Sequence, residues 1–379
     1  MQKLTTLPWC FFIVLYTYNL YNMCDYQFVG LMATKTVKIR IKDSVSAKHL
    51  KKMSRAVNYV WNYCNETSLY AIRYNSHWLS GFDLQKLTKG VGKDLGINST
   101  TVQEVCSEYA LRRKNARKRK LRWRGKKSLG WVPFKSTGIS FKEGMAYYAG
   151  HGFKLFQPER LPAKGEYGAG EFCEDSRGRW YLCISMSYEV QTSDAYASVG
   201  IDLGLKSTAT LSNGQKVSNG HYYRIMERKL ARAQKGKKKR QAKGIHAKVR
   251  NKRMDDLHKA STKIVEQNKL IVVGNLSVKK LIKTKMAKSL LDSATSMFKT
   301  MLKYKASARQ RWYVEVDETN TTRTCSSCRT IPASAPKGAK GLSVREWVCC
   351  DCGAIHDRDV NAAMNILRIG CDTLASEVG

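Results

Sequence analysis

Four cysteines near the C-terminus form two close pairs, and their spacing constrains this part of the chain more than any other feature does. Cys325 and Cys328 make the first pair, and Cys349 and Cys352 follow about 20 residues later. Two CxxC pairs at this separation have the ligand spacing of a structural zinc site, in which four thiolates hold the ion tetrahedrally. The sequence therefore predicts a zinc module, with Cys350 as a bystander inside the second pair.

The remaining cysteines and the N-terminus carry less information. The chain has 12 cysteines, and those outside the zinc set lack the regular spacing of a disulfide framework, which indicates a reducing compartment. Residues 7–16 form an apolar run that is too short to span a bilayer, and it lacks an obvious cleavage site. A second methionine, Met32, lies just before the first strand-like segment. We therefore predict that residues 1–31 are a non-native or disordered extension.

The charge balance is far from neutral. Lysine and arginine number 67 against 30 acidic residues, which gives a formal net charge of +37. An excess of this size indicates a polyanionic partner, and nucleic acid is the simplest one. A basic membrane-surface protein or a ribosomal protein is the alternative that charge alone leaves open. Two long basic segments, 112–127 and 229–253, exceed what one short duplex contact needs, so we expect strongly salt-dependent binding.

The predicted nucleic-acid contacts lie in the densest parts of these two segments. Such runs repel themselves unless a phosphate backbone neutralises them. We interpret the first run, in which Trp123 interleaves with basic residues, as part of a helix over 99–124. The selected residues are Arg112, Arg113, Lys114, Arg117, Arg119, Arg122, Arg124, Lys237, Lys238, Lys239, Arg240 and Arg250.

Hydrophobic patterning predicts a β-rich part with inserted helices. Residues 36–42 alternate apolar and basic side chains, as in a half-exposed strand with one basic face. Residues 128–189 contain short strand-like pieces rich in glycine and aromatic residues, which indicate a small β-barrel. A helix over 46–74 and further helices lie between these two regions. The predicted class is therefore α+β with several domains.

Strands and helices alternate in the C-terminal half. The predicted elements are strands at 197–204, 208–212, 270–273 and 312–316, and helical regions at 222–268, 286–304 and 361–369. This order is compatible with an RNase H-like fold, in which carboxylates from separate segments hold two divalent metals. Asp202 lies in the first strand and Asp359 follows the second cysteine pair, so both are candidate ligands. Mg²⁺ prefers such hard oxygen donors.

Four stretches make the chain resemble a known family. They are Gly-Ile-Asp-Leu-Gly-Leu-Lys at 200–206, Cys-Ser-Ser-Cys at 325–328, Trp-Val-Cys-Cys-Asp-Cys-Gly at 347–353 and His-Asp-Arg-Asp-Val-Asn-Ala-Ala-Met-Asn-Ile at 356–366. They resemble the TnpB (OrfB) family of insertion sequences, to which the eukaryotic Fanzor proteins and type V CRISPR effectors are related. The resemblance covers residues 33–370. It implies an RNA-guided, Mg²⁺-dependent endonuclease that cuts double-stranded DNA beside a short adjacent motif.

The resemblance also implies a domain plan. It comprises a wedge β-barrel (32–45 and 128–195), a helical recognition domain (46–127), an RNase H-like RuvC domain (196–324 and 354–379) and, interrupting it, a zinc-binding target-nucleic-acid module (325–353). A guide RNA from the element end and a double-stranded DNA target would be bound by a monomer or homodimer, without a membrane. Structural Zn²⁺ and two catalytic Mg²⁺ would be the cofactors. The implied location is the cytoplasm beside the nucleoid, or the nucleus of a eukaryotic host.

By the same match, Asp202 would be the first RuvC carboxylate and Asp359 the last. Asp357 is a nearby alternative to Asp359, with a more structural character. The middle carboxylate departs from the family pattern, because Gly274 stands where a glutamate is expected. One interpretation is an inactive site, in a repressor that binds DNA under RNA guidance without cutting it.

The other interpretation is that a different glutamate takes over, as it does in Fanzor proteins and a subset of TnpB proteins. Glu318, which follows the strand at 312–316, is the first choice, and Glu315 and Asp317 come after it. A transposase that joins DNA strands is a third functional class. Nothing here resembles a strand-transfer tyrosine or serine module, so a role in transposition would come from cutting the empty donor site.

Overall fold

The computed structural model describes residues 32–42, 44–161, 167–189, 195–275, 294–337, 341 and 343–376. The predicted extension at 1–31 lies outside these residues. The chain divides into two compact units, an N-terminal unit of residues 32–189 and a C-terminal unit within 190–379. Among the described residues, no helix has both the length and the apolar character needed to cross a membrane.

The N-terminal unit combines four helices with two antiparallel sheets. Its strands are β1 (Met32–Arg40), β2 (Trp131–Phe134), β3 (Ile139–Lys142), β4 (Met145–Tyr148), β5 (His151–Lys154), β6 (Tyr167–Glu174) and β7 (Trp180–Glu189), and its helices are α1 (Ser44–Asn75), α2 (Gly81–Leu87), α3 (Val91–Leu95) and α4 (Ser99–Ala116). One sheet has the order β1-β7-β6-β2 and the other the order β3-β4-β5. A bridge between Ile41 and Leu155 links their ends. The strand-like pieces predicted at 128–189 are thus strands, and the structure has one further strand there, β4, that the sequence pattern did not predict.

Helices and strands of this unit share one hydrophobic core. The apolar stripe predicted on α1 is buried throughout, at Leu50, Met53, Val57, Val60, Trp61 and Cys64. Phe172 of β6 lies 5.3 Å from Phe134 and 4.9 Å from Phe153, measured between ring centroids, so rings from both sheets meet. Each such ring pair contributes about 0.5–1.5 kcal/mol beyond the area that it buries. The helical insert therefore packs directly on the strands.

The predicted helix over 99–124 ends earlier, at Ala116. Arg117 caps it in the left-handed conformation with φ 51°. The chain then runs along α1, where the side-chain amide of Asn65 donates to the Leu121 carbonyl at 2.8 Å and its oxygen accepts the Leu121 amide at 3.0 Å. Asn62 makes the same pair of bonds with the backbone of Arg124. Because these asparagines satisfy the backbone outside a helix, the basic run is helical only up to residue 116.

The C-terminal unit is built around a mixed sheet. Its strands are β8 (Ala197–Leu203), β9 (Ser207–Leu211), β10 (Lys216–Ser218), β11 (Asn268–Gly274), β12 (Trp312–Val316), β13 (Glu346–Val348) and β14 (Ile355–Asp357), and its helices are α5 (Tyr222–Lys235), α6 (Lys239–Gln267), α7 (Thr295–Ser307) and α8 (Arg358–Ser376). The main sheet has the order β10-β9-β8-β11-β12. β8, β9 and β10 pair antiparallel, whereas β11 pairs parallel with both β8 and β12. β13 and β14 form a separate hairpin beside the cysteines.

Both faces of the main sheet are covered. On one face, Ile201 and Val273 pack with Phe298 of α7. On the other face, Val272 and Val316 pack with α8 residues. The predicted helical region 222–268 is two helices separated at 236–238, and the predicted helix 286–304 is described from Thr295 on, its first part lying outside the described residues.

Candidate functional site

The helix that carries Asp359 lies directly against the strand that carries Asp202. At Gly200 of β8, an added Cβ would lie 2.0 Å from the carbonyl oxygen of Ala363 in α8. Glycine is therefore the residue that allows this close approach of strand and helix. Side chains alternate across a strand, so Asp202 points to the same face as Gly200, toward α8.

Asp202, Glu318 and Asp359 form one electrostatic cluster. Burial, followed by the negative charges of Glu318 and Asp359, raises the pKa of Asp202 to about 8, and Arg358 opposes this rise. Like charges shift a pKa in this way only when they lie close together. The carboxylates of Glu318, after β12, and of Asp359, in the first turn of α8, are thus near enough to Asp202 for their charges to act on it.

Glu318 fills the space beside Gly274 at the end of β11. An added Cβ on Gly274 would lie 2.9 Å from Oε2 of Glu318 and 2.9 Å from Cδ1 of Ile366. Gly274 pairs in register with Val316 of β12, so Glu318 leaves the neighbouring strand two residues beyond that pair. The missing side chain at 274 is what leaves room for the carboxylate of Glu318.

The carboxylate of Glu318 is suited to a cation. Burial and the charge of Asp317 raise its pKa, against an opposing effect of Lys299. Its Oε2 is buried and has no hydrogen-bond partner within the described part of the chain. A buried carboxylate oxygen is unfavourable unless a cation or a proton satisfies it. A hard divalent ion would satisfy this oxygen and relieve the repulsion on Asp202, so the donor set fits Mg²⁺.

The other two acidic residues near β12 are engaged elsewhere. Glu315 pairs in register with Val273 and therefore lies on the α7 face, opposite to Asp202. Its carboxylate accepts from Lys299 Nζ at 2.5 Å, and although burial opposes it, this cation holds the pKa of Glu315 below its usual value. Asp317 is exposed and accepts the amide and hydroxyl of Thr319. The geometry therefore favours Glu318 over both.

Asp359 and Asp357 have different surroundings. Arg358 donates to Oδ1 of Asp359 from Nε and Nη2 at 3.0 and 2.8 Å, and Nη1 of Arg345 lies 3.3 Å from Oδ2. Asp357 caps α8, because its Oδ1 accepts two backbone amides of the first turn at 2.9 and 3.0 Å. Lys216 Nζ donates to its other oxygen at 2.7 Å. Asp357 is thus engaged in capping the helix, whereas Asp359 is the one of the two whose charge acts on Asp202.

The four predicted cysteines converge on one point. Their sulfur atoms all lie within 4.8 Å of one another, and the pairs Cys325–Cys352 and Cys328–Cys349 are each separated by 3.7 Å. With Zn–S bonds of about 2.3 Å, a tetrahedral site separates its sulfurs by about 3.8 Å, so the cluster fits zinc. Hydrogen bonds from Thr330 lower the pKa of Cys328 to about 6, which favours the thiolate that zinc binds.

His356 supports this cluster from outside the ligand set. Its Nε2 lies 3.1 Å from the sulfur of Cys325, and its ring centroid lies 4.8 Å from that of Trp347, its partner across the β13–β14 hairpin. Burial lowers the pKa of His356, so the ring is neutral at neutral pH. A neutral imidazole beside a thiolate orients it, as groups next to metal ligands commonly do.

The predicted basic residues of the C-terminal unit are exposed. Lys237 and Lys238 lie in the turn between α5 and α6, Lys239 and Arg240 begin α6, and Arg250 lies further along that helix. Their side chains extend from α6 and from the short turn that joins α5 to it. Each of these side chains is open to contact by a phosphate backbone.

In the N-terminal unit, most predicted contacts are also exposed. Lys114, Arg117, Arg119 and Arg122 are open to solvent. Arg112 is exposed as well, and it pairs with Glu108 one turn earlier.

Arg113 and Arg124 correct the prediction. Arg113 is only 5% exposed and donates to the carbonyl of Leu79 at 2.6 Å. Arg124 donates to Oδ1 of Asn58 at 2.7 Å and to the carbonyl of Leu129 at 2.8 Å. These bonds offset part of the cost of removing the two guanidinium groups from water. Arg124 is only partly buried, and Nε and Nη1 of Arg113 lack a hydrogen-bond partner among the described residues. Both arginines therefore hold the fold together, and the basic surface consists of their exposed neighbours.

Two residues of the site were missed by the sequence reasoning. Asn361 and Asn365 of α8 are each 1% exposed and both donate to the backbone between Glu318 and the first cysteine pair. Their spacing of four residues in an otherwise apolar helical stripe was the available signal.

Two family models match parts of the chain. The "Cas12f1-like, TNB domain" matches residues 296–366, and the OrfB family, described as "Probable transposase", matches residues 181–285. The second segment contains Asp202, and the first contains Glu318, the four cysteines and Asp359.

Curated relatives match about half of the chain or less. A Streptomyces pristinaespiralis protein named as a candidate RNA-guided DNA endonuclease is 36% identical over 225 residues, which cover 55% of this chain and 54% of that protein. InsQ of Escherichia coli, with the same designation, is 28% identical over 53% of this chain and 56% of its own length. A TnpB-like protein of Acanthamoeba polyphaga mimivirus is 32% identical over 33% of this chain and 24% of its own length. The chain thus spans about half the length of the first two relatives.

Two solved structures are distant neighbours. A Cas12f1–single-guide RNA–target DNA complex has 16% identity and a TM-score of 0.35, over 88% of this chain and 99% of that one. A CRISPR–Cas12f ternary complex has 14% identity and a TM-score of 0.36, over 92% and 85%.

The family and relative matches confirm the resemblance that the motifs indicated. Over residues 181–285 and 296–366 the chain is thus similar to the TnpB (OrfB) family and to the Cas12f1-like TNB domain.

Proposed function

We propose that this protein is an RNA-guided DNA endonuclease of a mobile element, with a Mg²⁺-dependent RuvC-like site formed by Asp202, Glu318 and Asp359. The observation that carries the proposal is the convergence of these carboxylates, with Glu318 occupying the space that Gly274 leaves open. Relatives named as candidate RNA-guided DNA endonucleases support this class of reaction.

The sheet order supports an RNase H-like nuclease domain. Three antiparallel strands followed by two parallel ones, in the order β10-β9-β8-β11-β12, is the arrangement expected of that fold. Asp202 lies near the carboxyl end of β8, and Glu318 follows the carboxyl end of β12. Sites in α/β sheets form at this edge, where several strands end together.

The chemistry follows from the donor set. Asp202, Glu318 and Asp359 would hold two Mg²⁺ ions, which when bound supply a water of lowered pKa and stabilise the leaving 3′ oxygen of a phosphodiester. The protein contributes three hard oxygen donors held at one sheet edge. Asp202 and Glu318 are partly buried, which strengthens the attraction of their carboxylates to a cation.

The basic surfaces support nucleic-acid partners. A formal net charge of +37 and the exposed residues of 112–122 and 237–250 suit a guide RNA from the element end and a double-stranded DNA target. We assign the wedge and recognition roles to the N-terminal unit, the RuvC role to the main sheet of the C-terminal unit, and target-strand handling to the zinc module. Cutting beside a short adjacent motif at the empty donor site would link the activity to transposition.

The direct test uses the protein purified with its own element-end RNA and a labelled target duplex. Cleavage in Mg²⁺ that disappears in EDTA is the expected result. RNA-dependent binding without cleavage would instead support the repressor. Joined strands would support a transposase in the strict sense.

A further inference from the structure

Asn361 and Asn365 lie one turn apart on α8 and donate to the same backbone turn. Asn365 Nδ2 donates to the carbonyls of Thr321 and Thr324 at 2.9 and 2.7 Å, and Asn361 Nδ2 donates to that of Thr324 at 2.8 Å. Both side chains are 1% exposed. Buried amides are unfavourable unless their donors are used, and here both are used to hold one segment.

The segment held by these amides begins at Glu318. The amide and hydroxyl of Thr321 donate to the Glu318 carbonyl at 3.1 and 2.8 Å, which forms a tight turn. Clamping the carbonyls of Thr321 and Thr324 therefore fixes the backbone from which the Glu318 side chain extends. This matters because Glu318 lies beyond the end of β12, outside the strand ladder.

The other end of the segment enters the zinc cluster. The backbone amide of Ser326, between the first two cysteines, donates to Oδ1 of Asn361 at 2.9 Å. Asn361 thus bonds on both sides of Cys325, through Thr324 and Ser326. One asparagine connects the turn that bears Glu318 with the first cysteine pair.

The same helix carries Asp359, two residues before Asn361. It presents Asp359 directly and holds Glu318 through the two amides. A glutamate on β11 would be fixed by the ladder of that strand, but a glutamate after β12 needs another support. The asparagines supply that support from α8.

We propose that Asn361 and Asn365 are positioning residues of the carboxylate site. They hold the turn at 318–324 on α8, so that Glu318 stays beside Asp202 and Asp359, and they tie this position to the zinc cluster through Ser326. The effect on cutting rests on the proposed nuclease function, whereas the effect on the turn and on metal binding does not require cutting.

The test compares Asn361→Leu and Asn365→Leu with Asn268→Leu. Asn268 is a matched control, because it is 6% exposed and donates to the Ile264 carbonyl at 2.8 Å, at the far end of β11. Three properties are measured on the RNA complex: amide hydrogen exchange of residues 318–326, Mn²⁺ affinity by electron paramagnetic resonance, and single-turnover cleavage. Zinc content and melting temperature report folding.

We expect faster exchange in 318–326 and losses of about 10-fold or more in Mn²⁺ affinity and cleavage rate for both variants, with Asn268→Leu like wild type. Unchanged exchange, or faster exchange with wild-type Mn²⁺ affinity, would overturn the proposal. If leucine prevents folding, Asn361→Asp keeps the acceptor for Ser326 and removes the donor to the turn, including its bond to Thr324, and the same readouts apply. If wild-type protein binds Mn²⁺ without cutting, the nuclease function fails, while exchange and affinity still decide the positioning role.

Discussion

Oε2 of Glu318 lies 2.9 Å from the point where a Cβ on Gly274 would stand. A side chain at 274 would therefore require the carboxylate end of Glu318 to shift, so the two compete for one space. This shared space is what the proposed relocation of the glutamate, from position 274 to the segment after β12, requires.

Because the two positions compete for one space, we predict that a glutamate at position 274 can replace Glu318. Glu318→Ala should lower the cleavage rate by more than about 100-fold, because a metal ligand is lost. Gly274→Glu in that background should restore part of the rate, since its carboxylate enters the vacated space. Gly274→Glu alone should lower the rate, because it displaces Glu318. Single-turnover cleavage of all three variants decides this, and a double variant as inactive as Glu318→Ala would argue against one shared space.

The raised pKa of Asp202 predicts metal binding that strengthens with pH. Between the ordinary value of about 4 and about 8, the folded metal-free protein keeps a proton that the unfolded chain releases, so this group's contribution to stability falls as pH rises through that window. A divalent ion must displace the same proton. Mn²⁺ affinity should therefore rise by up to about tenfold per pH unit between pH 6 and 8 and then level off.

Asp202→Asn is the control for this pH effect. It should bind Mn²⁺ weakly, with little dependence on pH, and at pH 9 its metal-free form should melt above wild type, because one of three repelling charges is gone. Wild-type affinity that does not change between pH 6 and 8 would contradict the assigned pKa and its cause.

Zinc content should depend on the converging cysteines alone. Cys325→Ser should lose about one equivalent of zinc per chain, because a closed four-thiolate site tolerates no missing ligand. Cys350→Ser should keep its zinc, since Cys350 is exposed and lies outside the cluster. Elemental analysis of both proteins makes the comparison, and unchanged zinc in Cys325→Ser would remove that ligand set.

The salt dependence of RNA binding should become weaker when the exposed basic residues at the start of α6 and in the turn before it are replaced. Replacing Lys237, Lys238 and Arg240 by alanine should reduce the slope of log affinity against log salt by about 2, given about 0.7 for each single-strand phosphate contact. Arg113→Ala should leave the slope unchanged and lower the free energy of unfolding by about 1–3 kcal/mol, because Arg113 is a buried donor. Equal slopes for wild type and the triple variant would exclude this surface.

Local patterning predicts much of this fold. The alternation at 36–42 becomes β1, with Val37 and Ile39 buried and Lys38 exposed, because a period of two survives wherever one face of a strand is covered. The cysteine spacing likewise predicts the convergence of four sulfur atoms, since each CxxC pair encodes its own short-range geometry. The end of α4 could not be read this way, because Asn62 and Asn65 of a distant helix set it.

The site depends on long-range packing that local sequence does not show. Glu315 and Glu318 look alike in the sequence, and only the pairing of β12 with β11 puts Glu315 on the face opposite to Asp202. Arg113 likewise looks like one more member of a basic run until its contact with Leu79 buries it. The roles of such residues depend on which face of their helix or strand is buried in the tertiary structure.

Single-turnover cleavage by Glu318→Ala and Glu315→Ala, each purified with the element-end RNA, distinguishes the proposed metal ligand from its neighbour on β12. Both glutamates lie near the end of β12, but only Glu318 belongs to the carboxylate cluster, while Glu315 pairs with Lys299. Loss of cutting in Glu318→Ala with retained target binding, beside near wild-type cutting in Glu315→Ala, is the predicted result. Full activity of Glu318→Ala would contradict the relocated carboxylate.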